Sequence, residues 1–260
     1  MAEGRLIRWI APALVGAAGL LAWHAVVVIG DMPPWLLPGP GLVAERLVSD
    51  RAVLLPAWWV TMRITLLALA LAAVGGVALA LAFTASRWLE LSLFPYAVAL
   101  QVTPIISIAP LIVVYVTDPF AVLLLCAWIV AFFPVLSNTV LGLRSVDRGL
   151  VDLFRLYGAS RWAILWRLRL PSALPYFLGG LRIAGGLALI GAVVAEFAAG
   201  TAGTASGLAY LILEAGYRLD IPRMFAALVL LLVTGIAIYA VITLITRLAL
   251  RRWHESALEG

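Results

Sequence analysis

Residues 57–83 read AWWVTMRITLLALALAAVGGVALALAF, with Arg63 the one charge among them. A helix needs about 20 predominantly apolar residues to cross a bilayer, and this run exceeds that. Five further runs of the same kind lie outward from it, at roughly 7–29, 89–115, 119–142, 174–199 and 224–248. Of the chain's 260 residues, 65% are hydrophobic and 12% charged, and the mean hydropathy is +1.11. A soluble domain is nearer half apolar and needs a polar surface, so the bilayer has to act as solvent for much of this chain. The fold class expected is all-α, a polytopic membrane protein with six transmembrane helices. Arg5 and Arg8 precede the apolar run from Trp9 to Ile29. That run is long for a signal-peptide core and no small-residue cleavage site follows it, so it reads as a first transmembrane helix.

The same composition narrows the chemistry. All 18 basic residues are Arg, and most lie between apolar runs, where membrane orientation rather than nucleic acid explains them. With the N-terminus inside, inner segments carry three times as many arginines as the outer loops. The outer ones are Arg46, Arg51, Arg218 and Arg223, and the inner ones run to Arg252 near the end of the chain. Both termini are therefore expected on the cytoplasmic side. Cys126 is the lone cysteine, which excludes an internal disulfide or a cysteine metal cluster. His24 and His254 lack ligand neighbours, so no metal site is expected. No catalytic residue is assigned, because no Ser/His/Asp or Cys/His set is evident. A chain without Lys cannot hold the GxxxxGK[ST] phosphate loop.

Two segments break the pattern. The run 89–115 contains Pro104 and Pro110, each of which removes a backbone donor, so this helix is expected to be kinked or broken. Irregular backbone at membrane depth is tolerated only inside protein or beside a cavity. Gln101, Thr103, Ser107 and Tyr115 flank those prolines and could line a path or satisfy the backbone groups the prolines free. Asn138 beside Pro134 carries the same two readings. The inner loop 144–170 reads RSVDRGLVDLFRLYGASRWAILWRLRL. Leu150, Leu153, Phe154 and Tyr157 recur at helical spacing, as do Ala163, Ile164 and Trp166. Gly158 can C-cap the first half, Ser160 can N-cap the second, and Pro171 is expected to stop it. The result is two short amphipathic helices joined by Gly158-Ala159-Ser160.

Elsewhere, Pro33 to Gly41 should begin as extended chain, with a short helix over Leu42–Val48. The segment from Gly200 is Gly/Thr/Ser-rich before a helix over Leu208–Tyr217. Glu196 lies about 31 Å along its helix from Pro175 at 1.5 Å per residue, near the outer face. It is either a gate or path residue or a solvated helix end. Arg182 either holds an acid or anion or snorkels to the inner interface. Gly180, Ala184, Ala188 and Ala192 form a ridge of small residues for close helix packing, beside the path or at a dimer seam.

The stretch from Asp147 to Pro175 resembles the cytoplasmic loop of ABC importer permeases. Asp152 stands six residues before Gly158-Ala159-Ser160, and Leu170-Pro171-Ser172-Ala173-Leu174-Pro175 closes the signature. Leu37-Pro38-Gly39-Pro40, Phe133-Pro134 with Asn138, and Ala192 to Phe197 resemble the nitrate/sulfonate/taurine group of these permeases, so the resemblance covers essentially the whole chain. It departs at Leu153 and Phe154, where the family has small residues, at Asp152 in place of Glu, and at Val116-Thr117-Asp118-Pro119 in place of a Gly-rich turn. The resemblance implies a type I importer core over 57–260 with a coupling loop at 144–171, preceded by an added helix and outer loop at 1–56. It implies a homodimer in the bacterial inner membrane with two ABC ATPase subunits, which bind ATP and Mg, and a periplasmic substrate-binding protein. Asp152, Tyr157, Gly158, Ala159, Ser160 and Arg161 would then contact the ATPase, and Gln101, Thr103, Ser107, Tyr115, Asn138 and Glu196 would be path candidates. The implied cargo is a sulfonate-, taurine- or nitrate-like solute, or alternatively a pyrimidine or riboflavin-like vitamin precursor. An ion-driven secondary transporter is the rival class, with Glu196 its one good ion site. An intramembrane enzyme or structural anchor is a further rival, for which no nucleophile or metal cluster is found.

Overall fold

The computed structural model describes residues 2–199 and 206–251, with side chains described over 10–198 and 206–251. Arg252, His254 and the segment from Gly200 to residue 205 lie outside the described residues. Among the described residues every regular element is helical. Five helices are long and apolar enough to span a membrane, and a bent pair can supply a sixth crossing.

The core is a three-helix bundle. Its members are α3 (Arg51–Ala85), α6 (Pro119–Arg144) and α9 (Leu170–Ala199). On α3 the buried stripe is Thr61, Thr65, Ala68, Ala72, Gly76 and Ala80, close to every fourth residue and almost wholly small. Ala184, Ala188 and Ala192 on α9 are fully buried, and Gly180 abuts the Pro134 carbonyl of α6. Small residues let helix axes approach where lipid supplies no hydrophobic drive for helix association. The small-residue ridge is thus spent inside the chain's own bundle. Large apolar side chains point the other way: Val74, Leu71 and Leu67 on α3 are exposed. A soluble bundle would reverse that arrangement, and a lipid-facing one requires it.

The run predicted at 57–83 is longer, because α3 starts at Arg51 and continues through Pro56. The third apolar run is two helices, α4 (Arg87–Val102) and α5 (Ile105–Tyr115), bent by 104°. The break falls where Pro104 pushes Thr103 into extended backbone (ψ 124°). Pro110 lies inside α5 without breaking it.

Around the end of the bundle where α3 begins sits a second, smaller cluster. It joins α2 (Pro40–Ser49), the start of α3, α10 (Leu208–Tyr217) and the start of α11 (Ile221–Leu250) through Val43, Leu54, Ala57, Leu208, Leu211, Ala226 and Ala227. Trp58 Nε1 donates to Thr234 Oγ1 at 2.8 Å. Asp50 accepts from Arg223 Nε at 2.7 Å, which ties the α2–α3 corner to α11. The Pro33 segment expected as extended chain is instead a turn, with Leu36 and Leu37 amides donating to the Pro33 carbonyl. Helix α1 (Ala2–Ile29) has no buried residue over Ile10–Ile29 and meets this second cluster through Trp23 on Phe225, 5.9 Å between ring centres.

Candidate functional site

The elbow that follows α6 is built from its caps. Helix α6 ends at Arg144, and Asp147 then accepts from the Gly149 amide at 2.6 Å to start α7 (Arg148–Leu156). At the far end of α7 the Ala159 amide donates to Phe154 O and the Gly158 amide to Arg155 O, both at 2.9 Å. This pair of bonds is a Schellman cap, with Gly158 at its left-handed position (φ +74°). Two residues later the Ser160 hydroxyl accepts from the Ala163 amide at 3.2 Å and starts α8 (Arg161–Ile164). Gly158 and Ser160 therefore do what their sequence context suggested.

Pro171 does not stop the second helix. The chain runs helical from Arg161 to Ala198. It widens into a π turn over Leu165–Arg169 just before Pro171. A proline ring clashes with the carbonyl of the preceding turn and has no N–H to give it, and a π bulge is the usual way to absorb that misfit without ending the helix. Ser172 Oγ donates to Leu168 O at 2.8 Å in the same turn. Helix α8, the second half of the elbow, is consequently one continuous piece with the α9 span. That piece is 38 residues long, about 57 Å at 1.5 Å per residue.

Helix α7 buries nothing. Leu150, Leu153, Leu156 and Tyr157 are all exposed, the last two at 84% and 85%. Asp152 pairs with Arg155 at 3.2 Å on the open surface. Arg161 is also exposed, and Ala159 is half-buried. A short capped helix with an uncovered apolar face presents a surface for a partner.

The path candidates divide. Gln101, Thr103, Ser107 and Tyr115 are spread along α4–α5 and its bend, all exposed, and Thr103 Oγ1 donates to Ala99 O at 2.6 Å. Asn138 is half-buried and its Nδ2 donates to Pro134 O at 2.8 Å. Glu196 is not a solvated helix end but fully buried. Thr61 Oγ1 donates to its Oε1 at 2.7 Å and the Ala209 amide to its Oε2 at 2.8 Å, while Thr61 Oγ1 accepts from the Leu208 amide at 2.9 Å. Glu196 and Thr61 thus satisfy the free amides of the α10 N-terminus, where a carboxylate is favoured. A β-carbon on Gly207 would overlap that carboxylate, so glycine lets the backbone close over it. The Arg182 guanidinium lies 6.0 Å from the Tyr239 ring centre with its Nε buried and unpartnered. Among the described residues no group of His, Cys, Asp and Glu could hold a metal.

Thr61 and Gly207 were not singled out from sequence. Thr61 is 135 positions from Glu196 and sits in an apolar run with no local sign of its role. Gly207 before an apolar run was a weak signal.

The chain belongs to the family described as binding-protein-dependent transport system inner membrane component, which matches residues 72–254. It is similar to the riboflavin transport system permease protein RibX of Chloroflexus aurantiacus, 36% identical over 91% of this chain and 87% of that one. It is likewise similar to the formylaminopyrimidine transport permease protein ThiX of Halalkalibacterium halodurans, 35% identical over 80% and 82%. Similarity to the taurine transport system permease protein TauC of Escherichia coli is 29% over 90% and 86%. The protein is an ABC importer permease with several membrane spans.

Proposed function

We propose that this permease carries a small polar solute from periplasm to cytoplasm by alternating access, with ATP and Mg bound and hydrolysed by two separate ATPase subunits and the solute delivered by a periplasmic binding protein. The observation that carries the reading is the elbow Arg148–Ile164, whose two helices are capped where they meet and whose second helix is continuous with the α9 span. When the ATPases close, a partner groove gripping Tyr157 to Arg161 would move α9 as a rigid body. Two copies of the chain would enclose the path, because the path candidates Gln101, Thr103, Ser107 and Tyr115 are all exposed on the single bundle. Both termini would be cytoplasmic, on the arginine distribution.

The higher identity to the riboflavin and formylaminopyrimidine permeases favours a nitrogen-heterocyclic vitamin precursor over the sulfonate reading. Binding of riboflavin, formylaminopyrimidine and taurine to the cognate binding protein discriminates the two. The coupling role is tested by placing cysteine at Ala159. The native Cys126 is fully buried and does not compete. Ala159→Cys is expected to cross-link to a cysteine in the ATPase groove, and to do so differently with and without ATP. Labelling by lipid or water probes alone would overturn the assignment.

A further inference from the structure

Between α7 and the inner ends of α3, α4 and α6 lies a cavity of about 610 Å³. Its inner wall includes the buried Phe83 and Leu143, and its charged lining is five arginines against two acids. Glu90 takes Arg144 and Asp152 takes Arg155. No carboxylate among the described residues pairs with the remaining three, Arg87, Arg148 and Arg169. These three come from α4, α7 and the π turn, so the cavity joins the elbow to the bundle. Unpaired guanidinium groups converging on one space repel unless an anion sits among them, and their planar forks suit a phosphate. Trp88, Trp162 and Trp166 are exposed at this same end, and exposed tryptophans mark the depth of lipid headgroups.

We propose that this cavity is a binding site for a phosphate-bearing anion, the headgroup of an anionic phospholipid being the source the tryptophan level favours. Bound there, the phosphate bridges Arg148 on the elbow to Arg87 and Arg169 on the bundle and stiffens the coupling helix against it. Soluble pyrophosphate offers the same chemistry and is distinguished by experiment.

The full chain is placed in phosphatidylcholine nanodiscs with or without phosphatidylglycerol, and retained anionic lipid is counted by native mass spectrometry. The variant Arg87→Gln/Arg148→Gln/Arg169→Gln is expected to weaken retention about fivefold per arginine, roughly 100-fold in all. The control Arg167→Gln/Arg247→Gln/Arg251→Gln, with the same charge change away from the cavity, is expected to retain lipid like the parent. In pure phosphatidylcholine, a pyrophosphate-dependent rise in melting temperature that the cavity variant lacks supports the site with a soluble source instead. Equal lipid loss in both variants, or no difference from the parent in either arm, overturns the proposal. Arg169→Gln alone, judged by the same readouts, keeps the test open should the triple variant fail to fold.

Discussion

Glu196 shows how far one side chain can reach in this bundle. It lies on α9, bonds Thr61 on α3 and caps α10, so three elements meet at one carboxylate. Glu196→Ala takes away the acceptor of the Ala209 amide and the 2.7 Å acceptor of the Thr61 hydroxyl, and an unsatisfied buried polar group costs about 1–3 kcal/mol. The variant is expected to melt several degrees lower in detergent, with hydrogen exchange accelerated first in α10. Gly207→Ala should give the same regional loosening by collision. If exchange in α10 stays protected in both variants, the carboxylate does not hold that helix. At Gly158 nothing lies within 4 Å of where a β-carbon would go, so substitution there reads the backbone alone. Left-handed φ costs a branched residue roughly 1–2 kcal/mol, whereas Asn adopts it readily. Gly158→Ile is expected to insert normally yet lose most ATP-dependent uptake or assembly, and Gly158→Asn to retain most of it. Vesicle uptake and ATPase co-purification check both.

At the scale of elements, the corner where α2, α3 and α11 meet is latched by charge. Asp50 does not cap α3 with its side chain. Its carboxylate serves Arg223 instead, and Arg46 lies 3.8 Å from both Asp50 and Asp220. The Arg223 hydrogen bond holds Asp50 below the ordinary carboxylate range. A group with a lowered folded pKa adds stability at pH values above its unfolded pKa and loses it as pH falls through the folded one. The latch is therefore intact at neutral pH and lost only below about pH 4. Asp50→Asn is expected to lower the melting temperature above pH 5 and to converge on the parent in stronger acid. A parent–variant gap that persists unchanged into strong acid would show that the latch contributes nothing. The α4–α5 break and the π turn before Pro171 are the two other element-level devices. Both are set by proline, yet Pro104 ends a helix while Pro171 does not. Near Pro171 the widened turn and the Ser172 hydroxyl take up the misfit. At Pro104 the chain turns away instead.

At the scale of the whole molecule, burial is concentrated in α3, α6 and α9, half of the α6 window being buried against none of α1. Gln101 and Ser107, on either side of the α4–α5 bend, are left uncovered by the single chain. If a second copy covers them, cysteines at Gln101 or Ser107 should form a disulfide-linked dimer in membranes, while the parent, with Cys126 buried, should not. Only monomer from both positions under oxidation would remove this bend from the dimer.

Much of this architecture could be read from residue order, and the reason is physical. Hydrocarbon admits only backbones that satisfy their own hydrogen bonds, so apolar run length alone identified the spans. Caps are local too, and Gly158 and Ser160 were readable because the bonds that define them stay within five residues of chain. The ends of helices were less readable, since α3 begins at Arg51 where a proline suggested a loop, and the helix through Pro171 survives by a π turn that no propensity encodes. What tertiary structure alone decided were the meetings of distant side chains. Thr61 with Glu196, Asp50 with Arg223, and three unpaired arginines around one cavity depend on how the bundle folds back on itself. Composition and period determine which faces are apolar, but only close packing decides which polar group finds which partner.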